Sequence, residues 1–283
     1  MAQFRAINVR LMVALAAVAG TLSACNPTSP PSSMGGGGSG SGGGGSGGPV
    51  AGTCAFMTFG TGDTRLSKVT SLGSPASVHY SRETVLGSRS FKGQTLTAVE
   101  TRTYSDAQAT ILTGSSVIYY DVQGATFGAV YAQSFDASGT TTSDVVYSPV
   151  PYLPLKLASG SNSTVAFAAT ATSSAGGFNI RARVDTAYTL SVGAATSVNV
   201  LAGSFSACPV TYSAYKLEVT ISGIGLLSST QSNCTFTGTT YAGMPGSVKS
   251  DFSKAGCTVG GVGGYAPFST ELISAQVDGK NYP

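Results

Sequence analysis

Phe178-Asn179-Ile180-Arg181-Ala182-Arg183-Val184-Asp185 is the stretch whose reading decides the fold. Apolar and polar residues alternate without a break. In an extended strand this puts Phe178, Ile180, Ala182 and Val184 on one face and Asn179, Arg181, Arg183 and Asp185 on the other. One face meets a core and the other meets water. The same texture of Thr, Val, Ser, Tyr and Gly continues along the chain, no segment keeps a helical period, and there is no Trp. Strands are predicted over 95–104, 116–122, 125–135, 164–172, 178–190, 197–201, 205–221, 233–241, 248–259 and 271–277. Asp121-Val122-Gln123-Gly124, Ser173 to Gly177 and Gly223 to Ser229 supply the Gly and small polar residues that reverse a chain. The expected class is therefore all-β, with few or no helices and a long antiparallel sheet. Long strands that are apolar on one side only must curl on themselves, or leave a concave apolar face in need of an occupant.

The amino terminus has a different character. Arg5 and Arg10 precede a nearly unbroken aliphatic run from Leu11 to Leu22, which ends in Leu22-Ser23-Ala24-Cys25. The run is too short for a membrane span, which needs roughly 20 apolar residues. Leu22 to Cys25 resembles the lipobox of bacterial lipoproteins; the plainer alternative is a secretory signal with an incidental cysteine. The resemblance implies that residues 1–24 are removed and that Cys25 becomes the lipidated first residue, carrying two or three acyl chains. Such an anchor is stable, because each buried methylene contributes about 0.8 kcal/mol. Asn26 stands where Asp is the usual inner-membrane retention signal of Gram-negative lipoproteins, which favours the outer membrane. Residues 25–48, apart from Cys25, Asn26, Thr28 and Met34, are Pro, Ser and Gly with no charge, a flexible tether with a reach of roughly 25–30 Å. The Gly-x-Ser-x-Gly match at Gly44 to Gly48 lies inside it. A nucleophile elbow needs a strand before and a helix after, so this match is read as low-complexity sequence.

Residues 49–283 are enough for one all-β domain. Once the signal is removed, 13 basic residues face 12 acidic ones, and the basic residues are scattered, with Arg181 and Arg183 the one close pair. A nucleic-acid partner is not expected from that pattern. Cys54, Cys208, Cys234 and Cys257 form an even set suited to an oxidising compartment, and four cysteines allow three pairings. Gly243-Met244-Pro245-Gly246 reads as a turn with Cys234 and Cys257 nearly equidistant from it, which suggests Cys234–Cys257 across a hairpin and leaves Cys54–Cys208. A metal site competes weakly, since no Cys-x-x-Cys spacing occurs and His79 is the one histidine. No metal or cofactor is expected.

Four segments carry a further resemblance: Tyr147 to Leu157 with its repeated prolines, Ser197 to Phe205 with the Ala202-Gly203-Ser204-Phe205 corner, Tyr241 to Lys249 with its Pro-Gly hairpin, and the closing Glu271-Leu272-Ile273. Over residues 147–277 the chain is similar to a bacterial group of secreted proteins and lipoproteins of unknown function with an open β half-barrel. Its corner has Leu201 where Pro is usual in the group, and its hairpin has Met244-Pro245-Gly246. The resemblance implies the half-barrel architecture shared with lipoprotein carriers and lipid-binding lipoproteins, which hold acyl chains against the concave sheet. The corner itself reads as scaffold, with Gly203 permitting the bend and Phe205 returning to the core.

Candidates for chemistry are few. His79, between Val78 and Tyr80, would need an activated Ser and an orienting acid to form a triad, and a lone strand His is more often a hydrogen-bonded or surface side chain. Asp121, Asp136, Asp144 and Asp185 sit on separate strands or turns, and Asp136-Ala137-Ser138-Gly139 lacks the repeated ligands of a calcium loop. Tyr119, Tyr120, Tyr131, Tyr147 and Tyr152 are read mainly as packing. The expectation is a non-enzymatic envelope lipoprotein, held to the membrane by its acyl chains, that binds a lipid or other hydrophobic ligand. The alternative is a structural or protein-interaction module that uses exposed edge strands.

Overall fold

A computed structural model describes residues 53–72, 76–175, 178–222, 230–256, 258–259, 262–263 and 267–283. Among them the chain is all-β. The strands are β1 (Thr53–Ala55), β2 (Thr64–Ser71), β3 (Ser77–Phe91), β4 (Gln94–Tyr104), β5 (Leu112–Gln123), β6 (Thr126–Asp136) and β7 (Thr141–Ser148). They continue with β8 (Tyr152–Pro154), β9 (Lys156–Ala158), β10 (Asn162–Ala175), β11 (Phe178–Val192), β12 (Thr196–Val200) and β13 (Gly203–Ser222). The chain ends with β14 (Thr230–Gly243), β15 (Gly246–Gly256), β16 (Thr258–Val259), β17 (Val262–Gly263), β18 (Phe268–Val277) and β19 (Lys280–Tyr282).

The long, curved antiparallel sheet follows the alternation in the sequence, and its curl continues past a half turn. Pairing runs β2-β3-β4-β5-β6-β7-β10-β11 in chain order, then β11 pairs with β13, and β13-β14-β15-β18 leads back to β2. Twelve strands thus close a ring in which sequence neighbours are spatial neighbours. Closure removes the unpaired edges that such long strands would otherwise expose. One end of the ring, called lower below, holds the tight turns at 92–93, 124–125, 201–202, 244–245 and 278–279. The upper end holds the β2–β3, β4–β5 and β6–β7 connections.

On β11 the quoted stretch behaves as its alternation requires. Ala182 and Val184 are buried, Arg181 and Arg183 are exposed, and Arg183 Nη2 contacts Asp185 at 2.7 Å on the wet face. The side chains of Phe178, Asn179 and Ile180 lie outside the description. Across the ring the inward residues line up in register. Val85, Val99, Ile118, Ala132, Val145, Ala171 and Ala182 form one unbroken row, each directly opposite the next. All seven are between 1% and 7% exposed. Tyr188, Tyr212, Phe252 and Phe268 continue the core as a chain of ring contacts at 5.0–5.6 Å, the tilted and stacked geometry that aromatic pairs prefer.

The segment before β2 fills the lower end. β1 pairs with β9, Phe56 N donates to Leu155 O at 3.0 Å, and Phe56 and Met57 are buried beside Phe127. A disulfide joins Cys54 to Cys208 on β13 across 154 residues, with 5.9 Å between Cα atoms. Buried polar groups hold the following turn. Thr58 Oγ1 donates to Asp63 Oδ2 at 2.9 Å and accepts from Arg65 Nη2, while Gly60 N and Asp278 N also donate to Asp63. A second, smaller core packs Val198 and Ala202 of the β12–β13 hairpin with Val248 and Leu272, and Ala202 N donates to Leu272 O.

Candidate functional site

One step above the apolar row the character of the inner face changes. Glu83, Thr101, Ser116, Ser134 and Ser143 form the next register row, each directly opposite its neighbour on β3 to β7. Each lies two residues from a member of the apolar row on its own strand and so shares its face. Ser173 stands likewise two beyond Ala171 on β10. A row of carboxylate and hydroxyls therefore caps a row of hydrocarbon.

Its two halves differ. Glu83, Thr101 and Ser116 are half-buried, and the Glu83 side chain is 42% exposed. Ser134 and Ser143 are 1% and 2% exposed, and neither their Oγ atoms nor that of Ser173 have a hydrogen-bond partner among the described residues. A buried hydroxyl left unpaired costs about 1–3 kcal/mol, so natural structures seldom keep one without a reason. Arg65, directly opposite Glu83, supports the row. Its Nε donates to Pro245 O at 2.7 Å, and its Nη1 lies 3.4 Å from Glu83 Oε2. Arg65 is 5% exposed, and these bonds together with Thr58 occupy its fork.

His79 shares this face, two register steps above Glu83 and opposite Val69. Burial pushes its imidazole below the ordinary value. Four residues of extended strand place His79 and Glu83 about 13 Å apart, too far for a base and its orienting acid. Glu83 is therefore not the orienting acid of a triad at His79. Asp136 binds Ser138 and Thr140 within its own turn, which accounts for that motif as a turn. No cluster of three His, Cys, Asp or Glu suited to a metal occurs among the described residues.

The tyrosines divide by face. Tyr120 and Tyr147 are core side chains, whereas Tyr119 stacks on Phe91 at 4.0 Å on the outer surface, with Lys92 over Tyr131. Tyr152 donates to Asp121 Oδ2, and burial, together with that bond, pushes its phenol up to about 12. Cys25 and Cys257 lie outside the described residues, as does the Cys234 side chain, so the lipidation site and the Cys234–Cys257 pairing fall outside as well. The β14–β15 register places Thr235 opposite Gly256, the described neighbours of those two cysteines.

Arg65, Thr101, Ser116, Ser134, Ser143 and Ser173 are site residues that sequence reasoning missed. The available signal was parity: Ser116-x-Ile118, Ala132-x-Ser134, Ser143-x-Val145 and Ala171-x-Ser173 each place a hydroxyl on the inward set of a strand.

No protein-family model matches the sequence, and no curated protein does. Similar solved structures include a presumptive exported protein with a YmcC-like fold from Bacteroides fragilis, at 11% identity and a TM-score of 0.42. A presumptive lipoprotein from Parabacteroides distasonis has 11% identity and a TM-score of 0.41. Each alignment covers 78% of this chain and 99% of the other. A likeness of that size carries no function across.

Proposed function

We propose that this chain is a lipid-anchored envelope protein, most plainly of the outer membrane, that binds a ligand at the mouth of its barrel without transforming it. The Cys25 motif and the tether support the anchoring. The hydroxyl row carries the binding: the half-open side at Glu83, Thr101 and Ser116 leads to unpaired hydroxyls at Ser134 and Ser143. Donors and acceptors in that pattern suit a neutral, hydroxyl-rich ligand. An anion would meet the Glu83 carboxylate with Arg65 already engaged. The acyl chain suggested by the sequence would need the apolar row, whose members are covered by their own neighbours.

The test is native mass spectrometry of the mature chain extracted from its own envelope, compared with a Ser116→Phe variant that blocks the half-open side. A discrete adduct on the wild type that the variant lacks is expected. A bare wild-type mass, or an adduct indifferent to Ser116→Phe, would overturn the reading. A protein partner is the second reading, supported by β12, an uncharged strand that pairs with β13 alone among the described residues.

A further inference from the structure

The lower end of the barrel differs from the upper end in where the leading segment is clamped and in its charge, and like the upper end it exposes apolar side chains. The Cys54–Cys208 disulfide clamps the leading segment there, so the chain arriving from Cys25 meets the folded domain at this end. Two of its turns expose apolar side chains, Leu201 at 59% and Met244 at 42%. Its charge is basic: Lys92, Lys156 and Lys280 are exposed on or beside lower connections, against Asp278 as the exposed acid of those connections. The upper end also exposes apolar residues, Leu72, Val78 and Ile111. Its described connections, however, carry Asp106 and Asp136 and no Lys or Arg.

We infer that the lower end is a docking face for an anionic lipid surface, with Leu201 and Met244 dipping into the headgroup region while Lys92, Lys156 and Lys280 face the lipid phosphates. The inference rests on the lipid-anchor reading for its geometry. Apolar tips flanked by basic side chains are the composition that binds anionic interfaces. The Gly, Ser and Pro composition of residues 25–48 implies a reach of roughly 25–30 Å for a coil of that length, which would permit docking without enforcing it, so the face itself must supply the orientation. With the lower end on the membrane, the hydroxyl row opens away from the bilayer, toward ligands arriving from the aqueous side.

The chain contains no Trp, so a single introduced Trp reports its own environment. Full-length mature protein carrying Leu201→Trp, Met244→Trp or Ile111→Trp is reconstituted on phosphatidylethanolamine–phosphatidylglycerol vesicles, with brominated phospholipid as quencher. Quenching at least twofold stronger at positions 201 and 244 than at 111 is expected; equal quenching, or quenching at 111 alone, would overturn the inference. The intact mass of the same preparation reports acylation, so loss of the anchor reading shows as an unmodified mass and not as a change in quenching pattern. Should the Trp variants fail to fold, Lys92→Glu, Lys156→Glu and Lys280→Glu combined should abolish the preferential orientation, measured by protease protection of the lower turns. Protection unchanged by the three reversals would equally overturn it.

Discussion

Ser134 and Ser143 stand directly opposite each other on β6 and β7, and both hydroxyl oxygens are buried without a hydrogen-bond partner among the described residues. Replacing an unpaired buried hydroxyl with hydrogen removes its desolvation cost and leaves a very small gap. Ser143→Ala is expected to raise stability by about 1 kcal/mol, which for a domain of this size is a rise of roughly 2–4 °C in Tm. Thermal unfolding of ligand-free protein checks it. A loss of similar size would mean that the hydroxyls are partnered in solution. With ligand bound the sign should reverse, because the variant forfeits the hydrogen bond for which the hydroxyl is kept.

The Cys54–Cys208 bond closes a loop of 154 residues and holds Phe56 and Met57 in the core. Cross-linking restricts the unfolded chain more as the loop lengthens, and losing such a bond costs about 2–5 kcal/mol. Cys54→Ser with Cys208→Ser should lower the midpoint of chemical denaturation accordingly. It should also speed proteolysis in the 53–60 segment before the ring opens. Simultaneous loss of ring and segment would show that the leading segment has no separate stability.

How much of this fold was legible in the sequence depends on what each strand faces. β11 could be read because its inward positions are apolar and its outward ones charged, and the turn at 243–246 because Gly and Pro punctuate it. β2, β3 and β7 escaped notice for the reason that makes them interesting. Arg65, Ser67, His79, Ser81 and Glu83 occupy inward positions of β2 and β3, so polar residues dominate both faces there and the period-two signal fades; on β7 the inward Ser143 and the outward Val146 blur the alternation of Val145 and Tyr147. His79 stood out as the one histidine, but its inward orientation needs the register with Val69. Closure of the ring was equally hidden, since the β11–β13 pairing joins strands that flank the β12 hairpin.

Gly238 lies on β14 where the register with β15 shifts. A Cβ built on it would meet Cδ1 of Phe252 at 2.3 Å. Phe252 is itself held between Tyr212 and Phe268, so it has little room to retreat. Gly238→Ala should therefore cost about 1–3 kcal/mol, as overpacking does. Phe252→Leu in the same chain should recover part of the loss in urea denaturation. Additive losses would place the strain elsewhere.

Arg65 connects three separate parts of the chain: Thr58 in the leading segment, Glu83 on β3 and Pro245 in the β14–β15 turn. Only a planar fork reaches all three at once, so Arg65→Lys should not substitute for it. Arg65→Met leaves Thr58 and the Pro245 carbonyl without their donor and is expected to cost about 1–3 kcal/mol, the cost of stranding buried polar groups. Glu83→Gln should cost much less, because the carboxylate side of the pair is 42% exposed and screened. Comparable losses for Arg65→Met and Glu83→Gln in equilibrium unfolding would show that the ion pair, and not the fork, holds the site.

At the upper end, the Asp106 carboxylate organises the loop between β4 and β5. Its Oδ1 accepts from Ile111 N at 2.6 Å, and Thr110 donates through both its backbone and its hydroxyl. The Ile111 N–H foremost, helped by the Thr110 donors, holds its carboxyl below the ordinary value of 3.8 against the opposing effect of desolvation. A carboxyl that is more acidic when folded stabilises its loop fully above the unfolded value, and the contribution disappears as pH falls through the lower folded value. The loop should therefore keep its structure at pH 5 and loosen in strongly acidic solution, while the ring below it stays closed. The amide shifts of Thr110 and Ile111, followed by NMR from pH 6 to pH 2, should move together with an apparent midpoint below 3.8, and Asp106→Asn should remove that step. A midpoint at or above 3.8 would mean that these donors do not bind the carboxylate in solution.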